Sequence, residues 1–202
     1  METLLSIIEI CATIAFAISG IITARRRSFD LIGVYTVAFV TTFGGGTVRD
    51  ILLDRRPFYW VQQPIYPMLM LGLAIGSFFV AKADWVALTE KAIMIPDAFG
   101  LGLFTAVGVA YGLEASMPAF IAALMGVITA SVGGMLRDIL CNEIPLVFQR
   151  STQLYVTCAF VGACGYLLCT YLNFDALAVL VCTGITAAMR LGAVRYDWTL
   201  PI

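Results

Sequence analysis

Two arginines, Arg49 and Arg137, stand inside apolar runs, each preceded by glycines and followed at once by an aspartate. An ionisable side chain held at membrane depth is costly and by default marks a path for ions or substrate. An arginine at a helix end can instead snorkel to the headgroups. The glycines are Gly44, Gly45 and Gly46 before the first arginine and Gly133 and Gly134 before the second. Consecutive glycines weaken a helix by about 1 kcal/mol each relative to alanine and let its backbone kink or unwind. Backbone groups freed in hydrocarbon cost several kcal/mol apiece unless water, an ion or protein satisfies them, so a break is expected to face a cavity. Close packing through small residues is the other use of such glycines. Two clusters at related positions, each leading into Arg-Asp, favour a pathway for a small charged solute.

The relation between the clusters is an internal repeat. Displacing the chain by 88 residues aligns Gly45-Gly46-Thr47-Val48-Arg49-Asp50-Ile51-Leu52 with Gly133-Gly134-Met135-Leu136-Arg137-Asp138-Ile139-Leu140, six identities in eight. The same ungapped offset superposes Phe16 on Phe104, Gly20 on Gly108, Thr41 on Thr129, Pro57 on Pro145 and Glu9 on Asp97. Each copy reads as three helices, an odd number, so the second must enter the membrane upside down. That is an inverted-topology duplication with a helix left over, and such folds place their substrate or ion path between the repeats near the midplane.

This topology puts Glu9 and Arg49 in one half of the membrane and Asp97 and Arg137 in the other. Two charge pairs, Glu9 with Arg49 and Asp97 with Arg137, are expected to close the two ends of one pathway, because neither charge is cheaply left alone in low dielectric. Asp50 and Asp138 are adjacent candidates for the same partners. Hydroxyls at Thr41, Thr42 and Thr47, at Thr129 and Ser131, and at Thr13 and Ser19 are placed to line a wet path or to bond to their own helix carbonyls.

Composition names the medium. Of 202 residues, 61% are apolar and 12% charged, against about 25% charged in soluble domains. Apolar runs give spans near 4–24, 31–53, 65–82, 92–112, 117–141, 152–172 and 174–191. The remaining loops are too short for a second domain. The chain therefore reads as one all-α integral membrane domain, 1–202, of seven transmembrane helices: a first three-helix repeat (1–88), a second, inverted one (89–173), and a seventh helix with a cytoplasmic tail (174–202). Arg25, Arg26, Arg27, Lys82, Lys91, Arg150, Arg190 and Arg195 fall on one side and Arg55 and Arg56 on the other. The positive-inside bias predicts an outside N-terminus and a cytoplasmic C-terminus. Tyr59, Trp60 and Tyr66 on the outer side, with Trp85, Tyr196 and Trp198 on the inner, fit interfacial belts.

Several functions are excluded. With no histidine, His-based triads, His-ligated metals and His proton relays are absent. No GxxxxGK[ST] or GxGxxG run suggests ATP hydrolysis or dinucleotide binding. The net charge of −1 leaves no basic surface for nucleic acid. The six cysteines make no CxxC pair and read as small packing residues. No catalytic residue, metal site or cofactor is expected.

On these motifs the chain resembles the trimeric intracellular cation (TRIC) channel family, particularly its prokaryotic branch. The tandem GGxxRD motifs and the length resemble more closely a related family of bacterial candidate glycine transporters. The resemblance covers about residues 5–190 and implies a multi-pass protein of the bacterial inner membrane. It also implies a homotrimer in the lipid bilayer, each protomer with an hourglass pore for potassium and sodium lined by the first, second, fourth and fifth spans. Carried onto this chain, the kinks fall at Gly44, Gly45 and Gly46 and at Gly133 and Gly134, with Arg49 and Arg137 near the constriction. Val132 replaces the first glycine in the second copy.

Two functions use these parts. A channel would let carbonyls and hydroxyls at the breaks replace part of a cation's hydration shell, with Glu9, Asp50, Asp97 and Asp138 offsetting the arginines. A transporter would hold a small zwitterion such as glycine between opposed helix breaks while the repeats rock. The channel is the favoured reading.

Overall fold

The computed structural model describes the backbone of residues 2–79, 90–148, 154–196 and 198, with side chains from residue 7 and, in the second stretch, from residue 94. Lys82, Trp85 and Arg150, and the Lys91 side chain, lie outside the described residues. The elements are α1 (Glu2–Arg26), α2 (Leu31–Leu52), α3 (Tyr59–Gln62), α4 (Ile65–Phe79), α5 (Glu90–Glu114), α6 (Ala119–Leu140), α7 (Tyr155–Tyr171) and α8 (Asp175–Arg195), with a 3-10 turn at Leu146–Phe148. Helices α1, α2, α5, α6 and α8 are long and apolar enough to cross a membrane, and α4 and α7 are shorter apolar helices. The chain is an all-helical, multi-pass membrane protein.

Local chemistry sets the helix ends. Asp30 caps α2, its Oδ1 accepting the Gly33 N–H at 2.8 Å. Five helices leave through a residue in the left-handed region: Ser28 after α1, Asp54 after α2, Ser116 after α5, Asn142 after α6 and Asn173 after α7. At each exit the next amide returns to a carbonyl five residues back, Phe29 to Ala24, Arg55 to Asp50, Met117 to Gly112, Glu143 to Asp138 and Phe174 to Cys169. This satisfies a carbonyl that the helix end leaves open. Ser28 with Ser116, and Asp54 with Asn142, are again 88 positions apart, as are the C-terminal ends of α1 and α5 and both ends of α2 and α6. The repeat is thus written in the backbone as well as in the motif. Its inversion is visible in two bonds between α1 and α5, Tyr111 to Glu9 and Ser19 to Asp97, which require the two helices to run antiparallel.

The expected glycine interruptions are absent. α2 is unbroken through Gly44, Gly45 and Gly46, and α6 through Gly133 and Gly134. What lies opposite explains it: a Cβ on Gly45 would collide with the Thr129 carbonyl oxygen, and one on Gly133 with that of Thr41. The glycines serve a backbone-to-backbone crossing of α2 and α6, and contact across it offsets the weakness of glycine in a helix. Each threonine also receives α1 or α5 on its other side. A Cβ on Gly20 would lie 2.8 Å from Thr41 Oγ1, and one on Gly108 2.6 Å from Thr129 Oγ1. Phe16 and Phe104, the repeat-related pair, fill the middle of this four-helix core with ring centroids 5.0 Å apart. Outside it, α7 packs on α8, where Gly162 faces Thr186 and the Cys182 carbonyl. All six cysteines are free, with Cys158 and Cys182 fully buried.

Replacing Gly45 or Gly133 by alanine should therefore destabilise the detergent-solubilised protein by at least the about 1–3 kcal/mol typical of overpacking, read as a lowered thermal midpoint. Gly76, with nothing within 4 Å of its would-be Cβ, should accept alanine without loss.

Candidate charge clusters at the two ends of the core

Arg137, near the end of α6, is 2% exposed. Its Nη1 donates to Asp97 Oδ1 and to Ser19 Oγ, both at 2.6 Å, and its Nε to Asp138 Oδ1 at 2.9 Å. The guanidinium thereby ties α6 to α1 and α5. Asp138 is used twice, because its Oδ2 accepts the Leu146 N–H at 3.0 Å and so anchors the 3-10 turn that follows Pro145.

The Arg49 end repeats half of this arrangement. Nε and Nη2 of Arg49 donate to Asp50 Oδ1 at 2.9 and 2.7 Å, and Asp50 Oδ2 accepts the Tyr59 N–H at 3.4 Å, anchoring α3 after Pro57. The Arg-Asp-Pro signature thus has a local meaning in both copies: one aspartate neutralises the preceding arginine and pins the returning chain. The partner across the core differs. Glu9 is not the ion-pair partner of Arg49 expected from the sequence. Tyr111 of α5 comes between them, its hydroxyl donating to Glu9 Oε1 at 2.9 Å while its ring lies 4.3 Å from the Arg49 guanidinium carbon. Arg55 stacks on the same ring at 4.0 Å and pairs with Glu114 at 3.0 Å.

The last glycine of each cluster makes room for a tyrosine. A Cβ on Gly46 would meet the Tyr59 ring at 2.8 Å, and one on Gly134 the Tyr155 hydroxyl at 3.3 Å. Gly44 faces Leu136. The candidate pore hydroxyls are buried and bonded within their own helices: Thr41 to Val37, Thr42 to Ala38, Thr129 to Met125 and Ser131 to Val127, at 2.6–2.8 Å. Of the expected belt residues, Tyr59, Trp60 and Tyr66 join an internal aromatic cluster with Phe39 and Phe43, and the Trp60 indole donates to Thr47 at 3.0 Å. Tyr196 and Trp198 are exposed and stack on each other.

Sequence reasoning missed three contributors. Tyr111 and Tyr155 give no local signal, since their partners come from other helices. Arg190, read as a topology charge, is 4% exposed with its guanidinium carbon 4.9 Å from the Tyr155 ring centroid. Its position within an apolar run, five residues before Arg195, was the available hint.

Removing one partner of a buried ion pair costs about 3–5 kcal/mol because the other charge is left uncompensated. A double-mutant cycle on thermal stability with Arg137→Gln and Asp97→Asn should show coupling within the about 0.5–3 kcal/mol range of contacting pairs. The corresponding cycle with Arg49→Gln and Glu9→Gln should show markedly less.

A family model described as glycine transporter matches residues 6–82 and 94–171. The chain is 34% identical to a UPF0126 membrane protein of Vibrio cholerae, over 98% of this chain and 82% of that one. It is 32% identical to the UPF0126 inner membrane protein YadS of Escherichia coli, over 96% and 93%. Among solved structures, a TRIC trimeric intracellular cation channel orthologue from Rhodobacter sphaeroides superposes with a TM-score of 0.90 at 30% identity, covering 97% of this chain and 100% of the other. A TRIC cation channel structure concerned with conductance gives 0.84 at 32% identity, covering 98% and 96%. These structural neighbours are channels and not enzymes.

Proposed function

The chain belongs to the TRIC family, whose matching sequence model is described as glycine transporter, and from that premise we propose that it is a monovalent-cation channel permeable to potassium and sodium. The observation that carries this reading is the burial of Arg49 and Arg137 with their carboxylates at opposite ends of one antiparallel core, in a chain whose backbone follows known cation channels. Arginines that merely snorkelled would lie exposed at the headgroups.

In this reading α1, α2, α5 and α6 line one pore per protomer of a homotrimer. The seven longer helices form two inverted triplets, α1-α2-α4 and α5-α6-α7, with α8 left over, and α3 belongs to a connection. The N-terminus is outside and the C-terminus cytoplasmic in the bacterial inner membrane. Discounting the buried Arg190 leaves the positive-inside bias with the same sign. The described conformation is closed at its centre by Phe16, Phe104 and the Gly45–Thr129 and Gly133–Thr41 contacts. Conduction requires α2 and α6 to separate along that glycine seam, which exposes Thr41, Thr42, Thr129 and Ser131 to the path. Arg49 with Asp50 and Glu9, and Arg137 with Asp138 and Asp97, then control the two mouths. No cofactor is required, because desolvation is compensated by fixed oxygens and charges.

The description of the family model supports a second reading, in which the same seam binds glycine and the repeats rock around it. Purified protein in planar bilayers separates the two. Discrete unitary potassium currents are the expected result. Saturable glycine uptake into proteoliposomes without such currents would replace the channel by the transporter.

A further inference from the structure

The two ends of the core differ in their charge balance. At the Arg137 end, Asp97 and Asp138 face Arg137 itself, and Arg190 lies behind Tyr155. At the other end Glu9, Asp50 and Glu114 face Arg49 and Arg55, and pairing commits both guanidinium groups, Arg49 to Asp50 at 2.7 Å and Arg55 to Glu114 at 3.0 Å. Glu9 is left over. It is 9% exposed, makes no ion pair among the described residues, and takes its hydrogen bond from the neutral phenol of Tyr111. One such bond does not offset the desolvation of a carboxylate.

A second observation lies one helical turn away. Thr13 follows Glu9 by four residues on α1 and therefore shares its face. Thr13 is fully buried, and its Oγ1 has no hydrogen-bond partner among the described residues. Beside it lies the Tyr59 hydroxyl, also buried, which interacts with Thr13 Oγ1 without closing a bond of good geometry and is within electrostatic reach of Glu9. Its ring is held over Gly46. A carboxylate and two adjacent hydroxyl oxygens, each with a lone pair still free, thus occupy one corner of the core. Oxygen donors suit a hard cation, and a single carboxylate outside the ion pairs suits a monovalent one; among the described residues there is no carboxylate-rich cluster of the kind that holds a divalent ion.

We propose that Glu9, Thr13 and Tyr59 form a binding site for a partly dehydrated monovalent cation, with Tyr111 as the positioning residue that aims the Glu9 carboxylate. The site's place on a conduction path, where it would select for positive charge, rests on the channel reading; its existence as a binding site does not.

The test joins a binding measurement to a conduction measurement. The thermal midpoint of the detergent-solubilised protein is compared in KCl and in N-methylglucamine chloride at equal ionic strength, since a cation bound only by the folded state raises it. Wild type is expected to be more stable in KCl, and Glu9→Gln, or Thr13→Val combined with Tyr59→Phe, to lose that difference. In bilayers, Glu9→Gln should lower unitary conductance several-fold at low KCl and shift the reversal potential in a KCl gradient toward that of chloride. Thr13→Val with Tyr59→Phe should keep the preference for cations while changing the ratio of potassium to sodium permeability. Equal wild-type midpoints in the two salts overturn the site even in a protein that conducts. A Glu9→Gln protein with an unaltered KCl effect overturns it as well. Absence of unitary currents together with a KCl effect that Glu9→Gln abolishes would instead sink the channel reading and leave the site standing.

Discussion

A guanidinium group does not lose its proton inside a protein and is not cheaply left alone in hydrocarbon, so each buried arginine dictates its surroundings. Arg49 and Arg137 take an oxygen of the next residue, Asp50 or Asp138, as acceptor. The other oxygen of each aspartate holds the amide of the chain returning after Pro57 or Pro145. Charge neutralisation and chain reversal are thus one event. Gly46 and Gly134 complete the arrangement by leaving room for a tyrosine next to each guanidinium. Glycine, arginine, aspartate and proline in this motif are parts of one electrostatic device built twice.

The duplication is closely kept in the backbone and loosely in the side chains. Helix bounds and left-handed exits recur at the same offset, because they depend on local hydrogen bonding. Partners across the core do not recur. Arg137 reaches Asp97 directly, whereas Arg49 meets Glu9 only through Tyr111. On the surface the repeat even exchanges signs: Arg55 corresponds to Glu143, and these pair with Glu114 and Arg27 respectively. Such exposed pairs contribute only about 0–1 kcal/mol each.

The centre of the core shows what small residues do without water. Between helices in lipid the hydrophobic effect is weak, so association depends on close contact, and glycine allows the closest. Gly45 on Thr129 and Gly133 on Thr41, with Gly20 and Gly108 behind the two threonines, make a seam in which backbone meets backbone.

Much of the fold was legible in the chain itself. Hydropathy located the long helices, the 88-residue offset located the repeat, and the Arg-Asp pairs located both charge clusters, because each of these signals is carried by neighbouring or regularly spaced residues. The glycines could be read two ways. Whether a glycine run unwinds or packs depends on what faces it, and only folding put a threonine carbonyl opposite each. Likewise Glu9 and Tyr111 at one end, from α1 and α5, and Tyr155 and Arg190 at the other, from α7 and α8, had to be brought together before their partners were defined. Covalent neighbours and helical periodicity act over a few residues and so survive in a linear string. The choice of partner for a buried charge minimises desolvation over the whole core, and it exists only once the helices are packed.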